Sequence, residues 1–357
     1  MKQRMIAFLL ENANPSIRLR VKKEILHNIT EQEEKTLQEQ ILNEKLIRFI
    51  AEKQLKNGWI GLGFHGSSRH AGQYDNQETA TKYMGEKGLK GTKLLDRAMD
   101  AYVTTKLTDL CYESKGQYWS EFEIPAYGSQ NMIRCACIAR AHYDDVIDIS
   151  PQIGLSLESF RRVTEVDSIQ DVSRPVKKGR LFNKNERWPC RYHFEILAFT
   201  ADRWYNKENA AMLAEAFQRL MRTDREEIIN TPVSCWVGNH AVGPGWLLNE
   251  GFSISGDGLN RHGDDGVRRT NLEKVEWLSR CGLYDYLPQL REEVEFIADS
   301  IEQDGSCSAA AYEGEIRGWS PYFGAQLETD WRAKIRRKCD ITFRALLIVH
   351  YTGIMPN

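Results

Sequence analysis

The sequence lacks any apolar run long enough to cross a membrane, which would require about 18 or more consecutive apolar residues. Its first apolar stretch, IAFLL, is short and is followed at once by Glu11 and Asn12. A secretory signal peptide needs a longer apolar core and a cleavage site of small residues. These absences predict a cytoplasmic protein without an integral membrane segment.

Neither sign of charge predominates in the chain. It carries 48 Lys and Arg against 50 Asp and Glu, which gives a formal net charge of −2, and the basic residues do not gather into one stripe. A dedicated nucleic-acid-binding protein draws its affinity from a positive face, so the sequence argues against nucleic acid as a partner. It predicts a small-molecule substrate and leaves the oligomeric state open.

The cysteines form neither a disulfide framework nor a zinc pattern. The chain has 8 of them at irregular spacings, no C-x-x-C occurs, and the close pair Cys135 and Cys137 is too tight for a usual zinc clamp. P-loop, G-x-S-x-G and strand-associated G-x-G-x-x-G motifs are missing as well. The sequence therefore predicts reduced thiols and no cofactor, with magnesium and zinc left open by two weak patterns described below.

What the sequence does contain is a recurring pair of helices. A Gly- and aromatic-rich loop, a helix, a short turn and a second helix follow one another in 55–107, 116–162, 179–221, 244–301 and 304–353. Gly88 and Gly282 lie where a helix ends in a left-handed residue. Helix pairs that cannot bury their own apolar faces must stack on each other, so the pattern predicts an all-α protein. Residues 1–54 are expected to add N-terminal helices that pack on 55–357 within one continuous domain.

Short pieces of the repeats resemble a known superfamily. The stretches NGWIG, DGSC and CDITFRALLIVHYTG are similar to the repeats of squalene–hopene cyclases and protein prenyltransferase β subunits, the terpenoid cyclase and prenyltransferase-like α/α toroids. The resemblance extends over about residues 40–355 and implies an (α/α)6 toroid or barrel, with inner helices around a funnel and outer helices behind them. The same architecture also carries many glycan-processing enzymes.

Aromatic residues are concentrated in the loops that would line the mouth of such a funnel. The chain has 9 tryptophans, nearly all in or beside these loops. Aromatic side chains around a concave site suit an apolar ligand, a cation held over a ring face, or a sugar. Alternatively, they pack one repeat against the next. The predicted substrate-binding residues are Trp59, Phe64, Trp119, Tyr127, Trp188, Trp246, Trp319 and Tyr322.

Two Gly-rich loops hold the candidate catalytic residues. The loop around HGDD places His262, Asp264 and Asp265 downstream of Asp257, and two adjacent carboxylates can keep one acid protonated because close like charges do not both ionise easily. His65 lies in a second loop, where an imidazole can move a proton near neutral pH. Cyclases of the resembled family carry D-x-D-D, which is absent here. The alternative for both loops is a solvated polar connector.

Two acidic or mixed patterns could hold a metal ion. Asp144, Asp145 and Asp148 match D-D-x-x-D, which binds magnesium diphosphate in terpene synthases, although carboxylates at a helix start also serve as caps. Asp304, Cys307 and His350 form a weak zinc candidate, since prenyltransferases use an aspartate, a cysteine and a histidine at different spacing.

Three functions remain open from the sequence. The first is a toroid enzyme that acts by acid/base chemistry on a small, apolar or isoprenoid-like substrate in an aromatic funnel. The second is a carbohydrate-active (α/α)6 enzyme with paired carboxylates, such as Glu78 with Asp264 or Asp265, whose separation decides between retention and inversion. The third is a non-catalytic helical-repeat binding protein.

Overall fold

The computed structural model of the protein describes residues 1–61, 63–64, 74–105, 129–222, 224, 231–237, 240–242, 247–255, 265–320 and 323–354. This part of the chain is mostly helical, as the sequence predicted. Among the described residues, no helix combines the length and apolar character that a membrane span needs.

The helices follow one another with few interruptions. The N-terminal half contains α1 (Lys2–Asn12), α2 (Pro15–Arg20) with a π-helical turn (Val21–Ile25), α3 (Glu31–Leu42), α4 (Lys45–Lys53), α5 (Gln77–Glu86), α6 (Lys93–Thr104), α7 (Ser129–Arg140) and α8 (Ser150–Thr164). The C-terminal half contains α9 (Arg191–Phe199), α10 (Ala201–Trp204), α11 (Lys207–Leu220), α12 (Leu272–Arg280), α13 (Pro288–Asp299), α14 (Glu313–Ile316) and α15 (Lys334–Thr352).

Local signals explain where many of these helices begin and end. A side-chain oxygen accepts a hydrogen bond from the backbone N–H three residues further on at Thr30, Asn76, Asn206 and Asn271. Such caps satisfy one of the N–H groups that the first helical turn leaves free. After α5 and α12 the chain adopts the left-handed conformation at Gly88 (φ +83°) and Gly282 (φ +68°), which confirms the predicted helix ends.

Five helices form a continuous series of packed neighbours. α5 packs on α7, α7 on α9, α9 on α12, and α12 on α15, while α8 and α11 pack against each other behind this series. The N-terminal helix α1 packs on α15. The apolar faces of these helices form one buried core. Each of the five helices also has charged side chains that are buried in the interior.

A small sheet that the sequence did not predict accompanies the helices. It has four strands in the order β1 (Ser173–Val176), β2 (Gly179–Phe182), β3 (Val233–Val237) and β4 (His240–Val242). β1–β2 and β3–β4 are antiparallel pairs, and β2 runs parallel to β3. Strands this short carry little periodic signal in a sequence.

Gly85 marks the closest approach between α5 and the end of α7. A Cβ atom at this position would lie 2.6 Å from Cα and 2.9 Å from Cβ of Ala141. We expect Gly85→Ala to lower the free energy of unfolding by about 1–3 kcal/mol through overpacking, despite the better helix propensity of alanine. Urea unfolding measures this difference.

The matched control is Gly154→Ala in the exposed face of α8. Apart from its own helix, no described residue has an atom within 4 Å of where a Cβ would lie there. The same substitution should therefore raise the free energy of unfolding by about 0.5–1 kcal/mol. If both variants gain stability equally, the close approach at Gly85 is not a packing constraint.

Candidate active site

Several of the predicted site residues lie outside the described part of the chain. This group contains most of the residues predicted for the two catalytic loops and half of the predicted aromatic residues: His65, Trp119, Tyr127, Trp246, Asp257, His262, Asp264 and Tyr322. The remaining predicted residues have defined surroundings.

The four described aromatic residues from the predicted funnel are all buried. Trp59 contacts Phe64, with ring centroids 5.8 Å apart. Trp188 donates a hydrogen bond from Nε1 to the carbonyl oxygen of Leu248 (2.7 Å). Trp319 is 2% exposed. The Trp188 contact joins one helical repeat to the next, as in the packing alternative, whereas Trp59 and Phe64 contact each other within one repeat.

Asp265 lies on the surface in an ion pair. Its Oδ2 is 2.7 Å from Nη2 of Arg269, and its Oδ1 accepts a hydrogen bond from the backbone N–H of Val267. The Arg269 hydrogen bond and the Val267 N–H lower the pKa of this carboxyl to about 2. Asp265 is therefore ionised at neutral pH and is a poor proton donor there.

The candidate zinc residues make other contacts. Asp304 accepts hydrogen bonds from the backbone and hydroxyl of Ser306 (2.8 and 2.7 Å), and burial raises the pKa of the Cys307 thiol to about 11. His350 Nδ1 lies 3.0 Å from Nζ of Lys2. Within the described ranges, no three His, Cys, Asp or Glu side chains are grouped to hold a metal ion.

The D-D-x-x-D carboxylates contact cations of the chain and the backbone at the start of α8. Asp145 pairs with Lys90 (2.6 Å), and Asp144 lies 3.8 Å from Arg203. Asp148 accepts from the backbone N–H of Ser150 at the start of α8 (3.0 Å). The N-cap residue of α8 is Ile149, which makes no side-chain cap, so the capping interpretation is not borne out for this helix.

Ten ionisable side chains fill the interior where the five packed helices meet. Each is at most 4% exposed, and carboxylates and cations are equal in number. We call this group the central charge cluster; it consists of Glu78, Glu86, Glu195, Glu273, Glu276, Arg20, Lys82, Arg140, Arg280 and Arg344.

Arg140, at the end of α7, joins three carboxylates of this cluster. Its guanidinium lies 3.0 Å from Glu86, 2.9 Å from Glu195 and 3.3 Å from Glu273, which belong to α5, α9 and α12. The ring of Trp319 covers the guanidinium at 4.7 Å. Buried charges are tolerated only when they are paired, and here each partner comes from a different helix.

The cluster continues through the other helices. Lys82 of α5 lies 2.7 Å from Glu195 and 3.1 Å from Glu78, while Arg344 of α15 lies 3.2 Å from Glu86 and 3.0 Å from Glu276. Sequence reasoning missed this cluster. The available signal was a set of charged residues inside otherwise apolar helical segments, such as Glu195 in RYHFEILAF.

A separate cleft of about 570 Å³ lies beside the cluster, between α4, α5 and the segment before α15. Its apolar and aromatic walls are formed by Leu46, Phe49, Tyr74 and Tyr83. Its polar residues are Lys45, Asp75, Gln326, Glu328 and Thr329. We call it the Glu328 cleft, because Glu328 is the group with the most unusual environment in it.

The side chain of Glu328 is buried, and its two carboxyl oxygens differ in their hydrogen bonding. Oε1 accepts a hydrogen bond from the backbone N–H of Asn14 (2.8 Å), while Oε2 finds no hydrogen-bond partner among the described residues and lies 3.5 Å from Nη1 of Arg336. Burial, with the nearby charge of Asp340, raises the pKa of Glu328 to about 8. The carboxyl is therefore mostly protonated at neutral pH.

Asp340 holds the segment that carries Glu328. Its buried carboxylate accepts hydrogen bonds from the backbone N–H of Leu327 (2.8 Å) and Glu328 (3.1 Å), and from the indole of Trp331. Asp340 thus fixes the backbone position of Glu328 and acts as a positioning residue. It also raises the pKa of its neighbour by charge repulsion.

Tyr83 links the cleft to predicted residue Trp319. Its ring lies 5.6 Å from that of Trp319 and 5.0 Å from that of Tyr74, and the ammonium of Lys87 lies 5.4 Å from its centroid. Lys87 in turn pairs with Glu44 (2.6 Å). The cleft therefore combines aromatic faces, an uncharged acid and fixed nearby charges, which suits proton transfer to a largely apolar ligand.

Comparison with protein-family models, curated proteins and solved structures finds no match for this chain.

Proposed function

We propose that this chain is an enzyme that performs acid/base chemistry on a small, mainly apolar substrate in the Glu328 cleft, with Glu328 as the proton donor. The observation that carries the proposal is a buried carboxyl with one oxygen lacking a hydrogen bond, on the wall of an aromatic cleft. Carboxylic acids kept neutral by burial are a recurrent source of protons in enzymes.

The surrounding residues fit such a reaction. Phe49, Tyr74 and Tyr83 offer ring faces to an apolar substrate and to positive charge that develops when it is protonated. Glu328 would give its proton to the substrate and become a carboxylate. Arg336 and the backbone N–H of Asn14 would then stabilise the new negative charge. An isoprenoid-like substrate is in keeping with the resemblance to terpenoid cyclases.

The toroid architecture belongs to the same proposal. α5, α7, α9, α12 and α15 would be inner helices arranged around a common axis, with the central charge cluster along it. The pairing of Glu86 in α5 with Arg344 in α15 supports closure of the series, because it joins its first and last members (3.2 Å). In this arrangement the axis is filled, and the substrate cleft lies to one side.

A carbohydrate-active enzyme is the second candidate, and one observation favours it. Asp75 and Glu328 line the same cleft beside aromatic rings, which resembles the two carboxyl groups and stacking platforms of glycoside-cleaving enzymes. Glu328 would again be the acid, and Asp75 the base or nucleophile. Both enzyme candidates therefore depend on Glu328.

The test is a mass-spectrometric screen of the purified protein with prenyl diphosphates, squalene, and unsaturated or reducing oligosaccharides. For any activity found, Glu328→Gln should lower kcat/KM by about a hundredfold or more, since general acids contribute that much. Glu11→Gln changes an exposed glutamate and should leave the activity unchanged.

Two outcomes would contradict the proposal. Activity that survives in Glu328→Gln but disappears in Asp265→Asn would move the chemistry to the loop predicted from the sequence. Ligand binding without turnover for every compound would favour the non-catalytic helical-repeat protein.

A further inference from the structure

A second cleft, of about 530 Å³, lies between the end of α6, the start of α7 and the start of α8. It shares no lining residue with the Glu328 cleft. Its polar residues include Arg134, Asn131 and Gln152, and we call it the Arg134 cleft. Its unusual feature is an excess of hydrogen-bond donors without acceptors.

Arg134 is a half-buried cation, and no carboxylate of the described residues forms an ion pair with it. Its Nη1 donates to the carbonyl oxygen of Tyr102 (3.2 Å), and its Nη2 donates to Oδ1 of Asn131. Both of these acceptors are neutral, and the Cys135 thiol is a further hydrogen-bond partner of Arg134; among the described residues no carboxylate lies within ion-pair distance of its guanidinium. A guanidinium has five N–H donors, so about two remain for a ligand.

Gln152 supplies a second free donor beside it. This residue is 1% exposed, and within the described ranges its Nε2 has no hydrogen-bond partner. Arg134 fixes the amide of Asn131 by occupying its oxygen, so Asn131 presents Nδ2 to Oε1 of Gln152 (3.5 Å). The other end of the Gln152 amide is therefore its NH₂ group. A buried donor left unsatisfied is destabilising, and a bound acceptor would remove that cost.

The other polar groups at this end of α8 are already occupied. Asp148, which also lines the cleft, accepts from the backbone and hydroxyl of Ser150 and lies 3.3 Å from Nη2 of Arg203. The backbone N–H of Gln152 donates to Ile149 (3.0 Å). The free donors of the cleft are therefore the side chains of Arg134 and Gln152.

The rest of the cleft is apolar. Val103 and Val146 line it and are among the most exposed large apolar residues of the described chain, at 60% and 72%. Ile138 and Ile147 continue this wall inward. A ligand that fits both parts needs an anionic head and an apolar chain.

We propose that the Arg134 cleft binds a small organic carboxylate with an apolar chain, whose carboxylate is held by Arg134 and Gln152 and whose chain packs on Val103 and Val146. The planar guanidinium matches a carboxylate through two parallel hydrogen bonds. This site is independent of the chemistry proposed for Glu328.

Isothermal titration of the full chain with hexanoate, 1-hexanol and inorganic phosphate tests the proposal. Hexanoate should bind at least tenfold more tightly than the other two, since hexanol lacks the charge and phosphate lacks the chain. Arg134→Gln should lower the affinity for hexanoate at least tenfold, and Gln152→Met should lower it severalfold. Arg161→Gln removes an exposed arginine of α8 and should leave the affinity unchanged.

Thermal unfolding of each variant separates loss of binding from loss of structure, and Arg134→Lys, which keeps the charge, should retain part of the affinity. Equal hexanoate affinity in the wild type and a folded Arg134→Gln variant would overturn the proposal, as would binding no tighter than that of hexanol or phosphate. Glu328→Gln should not change hexanoate binding, so failure of the proposed function leaves this result intact.

Discussion

Arg140→Leu should lower the free energy of unfolding at pH 7 by about 4 kcal/mol or more, a large fraction of the roughly 5–15 kcal/mol by which native proteins are stable. The substitution removes one cation and leaves Glu86, Glu195 and Glu273 with fewer partners in a region closed to water. Breaking a buried ion pair costs more than the pair contributes, because the remaining charges stay desolvated.

Two variants show whether the loss comes from charge pairing. Arg161→Leu makes the same substitution at an exposed position of α8 and should change stability by less than about 0.5 kcal/mol. Arg140→Lys keeps the charge but loses the planar contacts to three carboxylates, so an intermediate loss is expected. Urea unfolding measures all three variants. A loss below about 1 kcal/mol for Arg140→Leu would mean that the cluster is not a major source of stability.

The helical part of the fold was predictable because its signals are local. Gly88 and Gly282 mark helix ends by their backbone conformation, and a capping asparagine such as Asn271 needs only the next turn of its own helix. The parallel pairing of β2 with β3 is different. It joins Arg180 to Val233, and a sequence does not reveal partners that far apart in strands of four or five residues.

The candidate site was less predictable, because its properties arise from contacts between distant segments. Glu195 stands out as a charge within an apolar helix, yet its partners Lys82 and Arg140 come from two other helices. The sequence around Glu328 contains no pattern that would mark it as a site residue. Its raised pKa depends on burial by the fold and on Asp340, and the hydrogen bond that its carboxyl accepts comes from Asn14, near the other end of the chain.

The dependence of stability on pH should reveal Glu328 directly, without any substrate. Its pKa is about 8 in the folded chain against an ordinary value of 4.5. Below pH 4.5 the carboxyl is protonated in both states and has no effect. Between pH 4.5 and 8 the unfolded chain ionises first, so stability falls as pH rises. Above pH 8 both states are ionised, and the accumulated loss is on the order of 4 kcal/mol.

Glu328→Gln keeps the shape of the neutral acid and cannot ionise, so it should be close to wild type at pH 5 and more stable than wild type by up to about 4 kcal/mol at pH 9.

Other titrating groups affect wild type and variant alike and cancel in the difference. Among them are the buried His142 and His193, since burial lowers their pKa values to about 4 and about 3. Glu11→Gln controls for the loss of one glutamate from the unfolded chain. A difference between Glu328→Gln and wild type that stays constant from pH 5 to 9 would mean that Glu328 is ionised throughout this range. A carboxylate that is already ionised at neutral pH has no proton to donate, and the proposed acid would have to be sought elsewhere.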